Sequence, residues 1–196
     1  MIDFKKFYRK GKLKLIENSI DLLEIFLNRR SVRKYGEIQD EEKFAQDIEK
    51  ILQAGLLSPS GHSKYPVELI LVRDKIKLEK LSHCRVNVAK MLLNAGAAIV
   101  VLADKEKSDT FVEDSCVTMM SMHLMATSLN LGSCWIQIRN RKAEDDRDSE
   151  DFVRDIFDFP DNFACQAILS IGTLSAPVKP RSLEKIHVEK IHREKF

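Results

Sequence analysis

This sequence of 196 residues lacks most of the motifs from which an active site is usually recognised. Its seven glycines form neither G-x-G-x-x-G nor G-x-x-x-x-G-K-[ST], which excludes the common dinucleotide and P-loop phosphate cradles. A G-x-S-x-G elbow and an H-E-x-x-H motif are also missing, so two frequent hydrolase arrangements are excluded. The four cysteines and five histidines show no ligand spacing, and we therefore expect no metal site.

Excess charge of one sign and long apolar runs are lacking as well. The 32 basic residues nearly balance the 30 acidic ones, which argues against a dedicated nucleic-acid-binding protein. The longest apolar run, residues 97–103, is far shorter than the ~20 residues that span a bilayer. No secretory signal is visible, and the dispersed cysteines are typical of a reducing compartment. We expect a cytoplasmic protein whose partners include neither nucleic acid nor membrane.

The basic, aromatic arm at residues 1–18 keeps another possibility open. Such an arm could touch a membrane, a nucleic acid or another subunit, or it could be an ordinary helix packed on its own domain. The first two alternatives predict salt-sensitive binding that is lost when residues 1–14 are removed.

Hydrophobic periodicity predicts a central sheet with helices between and around the strands, which is a three-layer α-β-α arrangement. Asp40 is expected to cap one helix, and Asn18 or Ser19 an earlier one that carries Leu23 and Leu27. Shorter helices are expected at 77–81, 86–93 and from Ser149. The predicted strands are 67–72, 97–103, 133–138 and 167–172. We expect a single domain over residues 1–196 that ends in a polar surface tail at 173–196.

The segment from Asp109 to Leu129 predicts a long central helix that is apolar around nearly its whole circumference. A helix of this kind is buried, either inside the domain or in a subunit interface. Its methionines are interpreted as core filler, and His123 as a hydrogen-bonded core histidine rather than a ligand or base. Gly132 is expected to cap the helix at its C-terminal end. If strands 97–103 and 133–138 are parallel, the helix forms a right-handed crossover between them.

Two basic clusters stand at opposite ends of the chain. Residues 29–35 read Arg-Arg-Ser-Val-Arg-Lys-Tyr, and residues 179–181 read Lys-Pro-Arg. Arginine forks and a serine hydroxyl suit a phosphate, and the two clusters could converge on one. The alternative is a solvated helix end and a solvated tail. Because no acid–base, metal or covalent apparatus appears at recognisable spacing, an enzymatic function would require a bound cofactor to carry the chemistry.

Besides the two basic clusters, residues 58–66 read Ser-Pro-Ser-Gly-His-Ser-Lys-Tyr-Pro, residues 131–136 read Leu-Gly-Ser-Cys-Trp-Ile, and Gly172 precedes the second cluster. Together and in this order, these four stretches resemble the FMN-dependent nitroreductase family, over roughly residues 20–181. Residues 29–33 are similar to the family's R-x-S-x-R/K signature, and residues 58–66 to its S-P-S-x-x-N-x-Q-P-W loop. Residues 131–136 are similar to G-L-G-x-x-W-I, and Gly172 with residues 179–181 to the closing G-x-P…K-P-R. The resemblance implies an α+β fold with a central mixed sheet and a homodimer with FMN at its interface.

The resemblance also implies the site. The two basic clusters would hold the FMN phosphate, the loop at 58–66 would line the flavin ring, and backbone near Gln137 would approach flavin N5. No catalytic side chain is assigned, since the flavin carries the chemistry. The implied cofactor-binding residues are Arg29, Arg30, Ser31, Arg33, Pro59, Ser60, Gly61, Ser63, Cys134, Trp135, Ile136, Gln137, Gly172, Lys179 and Arg181.

The loop departs from the family pattern at three positions. Ser63 stands where the family usually has Asn, Tyr65 where it has Gln, and Val67 where Trp follows the proline. At Ser63, the loss of an amide contact to the flavin would cost about 1 kcal/mol and would affect flavin orientation and redox tuning more than binding itself. The implied function is a ping-pong oxidoreductase that moves electrons from NADH or NADPH to a nitroaromatic, quinone or related acceptor. The alternative is a flavin-binding or regulatory module with little turnover.

Overall fold

The structure is a computed structural model that describes residues 22–196. The N-terminal arm, with the predicted cap at Asn18 or Ser19, lies outside the described residues. The helices are α1 (Leu22–Asn28), α2 (Glu41–Leu56), α3 (Lys75–Leu81), α4 (Phe111–Ser128) and α5 (Ser149–Phe157). The strands are β1 (Tyr35–Gly36), β2 (Val67–Val72), β3 (Ala97–Asp104), β4 (Leu131–Gln137) and β5 (Phe163–Leu174).

All five strands belong to one sheet, in which β5 is central. Strand β3 pairs with one edge of β5 and β4 with the other, while β2 continues the sheet beyond β3. Every one of these pairings is antiparallel, so β3 and β4 run parallel to each other with β5 between them. Within residues 22–196, the predicted mixed character of the sheet is limited to one isolated parallel bridge between Ser31 and Ser133.

Helices cover both faces of the sheet, which confirms the predicted three-layer α+β fold. On one face, α2 and α4 pack through Ile51, Met119 and Met122 against Ile99 and Leu169. On the other face, α3 and α5 pack on side chains of the alternate parity, such as Val100 and Ile168. Strand β3 is buried along Ala97–Ala103, as its continuous apolar run predicts, because both of its faces are covered.

Two local predictions were wrong. Gly132 does not cap α4 but lies inside β4, where a Cβ would come within 2.7 Å of the Val32 side chain. Asn130, with φ of 58°, takes the left-handed turn after α4 instead, a conformation that asparagine tolerates. The helix predicted at 86–93 is only a 3₁₀ turn at Lys90–Asn94.

Candidate functional site

The two basic clusters, which are far apart in sequence, meet beside the end of α1. Arg30 Nη1 donates a hydrogen bond of 3.1 Å to the carbonyl oxygen of Lys179, and the Arg181 amide donates one of 2.8 Å to the carbonyl oxygen of Leu27. The guanidinium of Arg181 is also close enough to Arg29 to lower its pKa, although burial of Arg29 is the larger cause. The structure thus brings together the first and last cations of the predicted phosphate site.

No acidic side chain neutralises these cations within residues 22–196. The ion pairs of that part of the chain use other lysines and arginines, and none includes Arg29, Arg30, Arg33, Lys179 or Arg181. Like charges held together without a counter-ion repel one another, so the arrangement stabilises a bound anion. Arginine and serine donors favour a phosphate in this position.

His123 on α4 contacts this cluster through Arg29. Its Nε2 lies 2.9 Å from Nη1 of Arg29, and its Nδ1 lies 2.5 Å from Oγ of Ser133 in β4. Burial, with a smaller contribution from the charge of Arg29, lowers the pKa of His123 from 6.5 to about 4. The imidazole is therefore neutral at physiological pH.

The predicted ring-lining loop lies at the other end of α4. Asp114, in the first turn of α4, accepts hydrogen bonds from Ser60 Oγ at 3.0 Å and from the Gly61 amide at 2.9 Å. Asp114 and His123 are nine residues apart on one helix, which corresponds to roughly 13 Å along its axis. Within a single chain, the loop and the phosphate cluster therefore do not touch.

The loop itself has an unusual backbone. His62, Ser63 and Tyr65 all have left-handed φ values, of 52°, 54° and 45°, although none is a glycine. Each such residue costs about 1 kcal/mol or more, and persists only where surrounding contacts impose it. The hydrogen bonds that Asp114 accepts fix the loop at Ser60 and Gly61, and the Tyr65 amide in turn donates to Ser60 Oγ at 3.0 Å. Strain of this kind concentrates at binding sites. Pro59 and Ser63 are exposed at the surface of the loop.

The residues of strand β4 that were predicted to contact the cofactor point to two opposite faces of the sheet. The side chains of Cys134 and Ile136 are buried in the core on the α3/α5 side, so only their backbone could meet a ligand. Trp135 packs on the α2/α4 side, and its Nε1 donates to Oε1 of Gln137 at 2.9 Å. Beyond the bridge at Ser133, the edge of β4 away from β5 pairs with no other strand of residues 22–196.

Gly172 has a packing role in the structure. It pairs with Gly132 across β4 and β5, and a Cβ at this position would approach the Tyr35 ring to 2.6 Å. The absence of a side chain lets the Tyr35 ring pack closely against β5, where its hydroxyl lies 2.6 Å from Ser170 Oγ. A direct contact between Gly172 and a cofactor stays a prediction.

A model of the Nitroreductase family matches residues 27–173, which include the first basic cluster, the loop, α4 and β4. The chain belongs to the nitroreductase family. Membership of this family confirms that the protein is an oxidoreductase, as the resemblance implied. No helix of the described residues is both long and apolar enough to cross a membrane.

Individual relatives cover nearly the whole nitroreductase chain. A protein of Archaeoglobus fulgidus named "Putative NADH dehydrogenase/NAD(P)H nitroreductase" is 32% identical over 90% of this chain and 99% of its own length. A protein of Methanothermobacter thermautotrophicus with the same name is 31% identical over 88% of this chain and 89% of its own. An FMN-dependent nitroreductase from Clostridium difficile R20291 superposes with a TM-score of 0.83 and 36% identity, covering 89% of this chain and 99% of that one.

Two features of the candidate site were not found from sequence. The first is Asp114, whose sequence signal is weak because it shares the first turn of α4 with a second acid, Glu113. Arg85 is the other, since its Nη1 donates a 2.7 Å hydrogen bond to the backbone oxygen of Gln137. It places a cation at the end of β4, beside the backbone that the family resemblance assigns to flavin N5. No sequence motif marks it.

Replacing Asp114 by alanine is expected to destabilise the protein by about 2–3 kcal/mol, because the Gly61 amide and Ser60 hydroxyl lose a buried, charged acceptor. Urea unfolding measures the change. Glu113→Ala is the matched control, since Glu113 is an exposed acid on the same helix turn. Equal stability of the two variants would show that the loop does not depend on Asp114.

Acidification is expected to destabilise this nitroreductase partly through His123. The pKa of His123 is about 4 in the folded protein and near 6.5 in the unfolded chain, so the unfolded chain binds the proton more tightly. This part of the stability is complete above pH 6.5 and falls as the pH drops toward 4, by about 2 kcal/mol at pH 4.5. Urea unfolding at pH 7 and 4.5 should show a smaller decline for His123→Gln than for the wild type.

Proposed function

We propose that this chain is an FMN-dependent oxidoreductase that takes two electrons from NADH or NADPH and passes them to a nitroaromatic, quinone or related acceptor in a ping-pong cycle. The observation that carries the proposal is the convergence of Arg29, Arg30 and Arg181 in one cluster that no acid of residues 22–196 neutralises. This cluster coincides with the stretches that resemble the family's phosphate contacts. When bound, FMN supplies a two-electron centre at N5.

The residues of this chain have defined parts in that proposal. Arg29, Ser31, Arg33, Lys179 and Arg181 hold the phosphate. The loop from Pro59 to Ser63 lines the flavin ring, and the unpaired edge of β4 near Gln137 offers backbone groups to its N5 region. The positive charge of Arg85 beside Gln137 favours a reduced, more negative flavin, because it stabilises added negative charge nearby.

We further propose that the protein is a homodimer with the flavin at the interface. The outer side of α4 carries the exposed Val117 and the partly exposed Met120 and Leu124, apolar side chains that the single chain leaves uncovered. The tail after Arg181 is exposed throughout and carries large apolar side chains, among them Leu183, Ile186 and Ile191. Both features suit contact with a second copy. The four free cysteines are in keeping with a reducing, cytoplasmic location.

The proposal is tested by an absorbance spectrum followed by an anaerobic titration with NADH and with NADPH. The purified protein should be yellow, and stoichiometric reductant should bleach its flavin bands. A nitroaromatic or quinone should then restore the colour in a second, separate step. A colourless protein that takes up no added FMN contradicts the proposal.

A flavin-binding or regulatory module is the second candidate. The observation in its favour is the loop, where Ser63 and Tyr65 replace the family's usual amides and both are exposed in left-handed conformations. The same titration separates the two functions. Bound flavin that neither NADH nor NADPH reduces would favour the module.

A further inference from the structure

The buried histidine of α4 has a role that the proposed function does not yet use. His123 is 5% exposed and makes two side-chain hydrogen bonds, one to Arg29 and one to Ser133. A guanidinium can only donate, so Nε2 of His123 accepts from Arg29. Nδ1 then carries the proton and donates to the Ser133 hydroxyl. The contacts on the two ring nitrogens thus select a single tautomer.

Ser133 is itself held in place by backbone contacts. Its carbonyl oxygen accepts a 3.0 Å hydrogen bond from the amide of Val32, next to the parallel bridge between Ser31 and Ser133. The Arg29–His123–Ser133 chain therefore links α1, α4 and β4 at the point where residues 29–33 begin the phosphate cluster. A shift of any one element would move the guanidinium.

The chemical identity of residue 123 matters because of its charge. An aspartate or glutamate in this position would orient Arg29 equally well, but it would neutralise the guanidinium and compete with an incoming phosphate. A neutral acceptor orients the side chain and leaves its positive charge uncompensated. A free arginine side chain samples many rotamers, and fixing it in advance removes that loss of entropy from the binding step.

We propose that His123 is a positioning residue, which acts as a neutral acceptor that aims the remaining N–H groups of Arg29 at the cofactor phosphate. This inference rests on the proposed function, because it requires FMN as the ligand. The competing explanation is a core histidine that only ties α4 to β4. The two differ in one respect: a positioning residue affects a phosphorylated ligand, whereas a purely structural residue affects all ligands alike.

The test compares FMN with riboflavin, which has the same ring and ribityl chain but lacks the phosphate. Dissociation constants of both flavins are measured on flavin-free protein by fluorescence quenching. His123→Leu is expected to weaken FMN binding about tenfold and riboflavin binding less than twofold. His123→Gln should recover most of the FMN affinity, since its amide oxygen can accept from Arg29. In Arg29→Ala protein, His123→Leu should have no further effect.

Two controls separate positioning from loss of structure. Met119→Ala removes buried volume from the same helix, so it lowers stability without changing the ratio of FMN to riboflavin affinity. The ³¹P resonance of bound FMN is a second readout, and it should shift in His123→Leu but not in Met119→Ala.

Failure of this inference is distinguishable from failure of the proposed function. Wild-type protein that binds FMN, together with a His123→Leu variant that keeps the wild-type ratio of affinities and the wild-type ³¹P shift, overturns the positioning role alone. Equal weakening of both flavins by His123→Leu and His123→Gln overturns it as well. Wild-type protein that binds neither flavin contradicts the proposed function and this inference with it.

Discussion

Replacing Arg29 by alanine is expected to weaken FMN binding about 100-fold while leaving riboflavin binding nearly unchanged. Arg29 is half-buried and its guanidinium is already oriented by His123, so its bonds to a phosphate would form with little loss of side-chain freedom. Charge-assisted hydrogen bonds contribute about 1.5–3 kcal/mol each, and 100-fold corresponds to about 2.7 kcal/mol. Fluorescence titration of flavin-free protein with each flavin measures the effect.

Lys34→Ala is the control for this substitution. It removes one positive charge from the same segment, but Lys34 is exposed and follows the residues that resemble the phosphate signature. Its expected effect on FMN affinity is less than twofold, and it should shrink further as salt is raised. Equal losses from Arg29→Ala and Lys34→Ala would mean that the cluster attracts FMN only through its net charge.

The phosphate cluster shows what sequence reasoning could reach at this site. Phosphate binding by the Arg29–Arg33 and Lys179–Arg181 segments could be predicted from sequence, because arginine and serine are typical hydrogen-bond donors to phosphate. Their convergence depends on the position of β5, which ends at Leu174, and on the bond from the Arg181 amide to Leu27. Such long-range contacts carry no local sequence signal.

The fold likewise has parts that the sequence predicts and parts that it does not. The helix at 111–128 and the strand at 97–104 were predictable, because each carries a nearly continuous run of apolar residues. The run in the strand reflects burial of both of its faces, whereas the helix keeps apolar residues also on the side that the single chain leaves exposed. The order of the strands was not, since β5 pairs with partners that precede it by about 35 and 70 residues. The wrong cap at Gly132 has a local cause: asparagine at position 130 adopts the left-handed turn, and the glycine is needed instead for the close approach of Val32.

A second large effect is expected from Val117→Asp, which should convert the proposed dimer into a monomer. Val117 is 41% exposed on the outer side of α4, with the partly exposed Met120 one turn and Leu124 two turns further along the helix. In a two-fold symmetric dimer the substitution occurs twice in the interface. Each of the two buried carboxylates would lack a partner of opposite charge, which disfavours association. The dimer dissociation constant should rise about 1,000-fold or more, as analytical ultracentrifugation can measure.

Ile76→Asp is the matched control, because Ile76 is even more exposed but lies on α3, on the opposite side of the sheet. Its dimer should sediment as the wild type does. Flavin retention gives the decisive second measurement. If the loop at Pro59–Ser63 and the phosphate cluster contact the same FMN only across the dimer interface, monomeric Val117→Asp should lose FMN. It should do so although none of its phosphate-binding residues is changed. A Val117→Asp monomer that keeps wild-type FMN affinity would instead show that the whole site lies within one chain. The ligand itself would then have to span the roughly 13 Å along α4 between Asp114, which holds the loop, and His123, which holds the phosphate cluster.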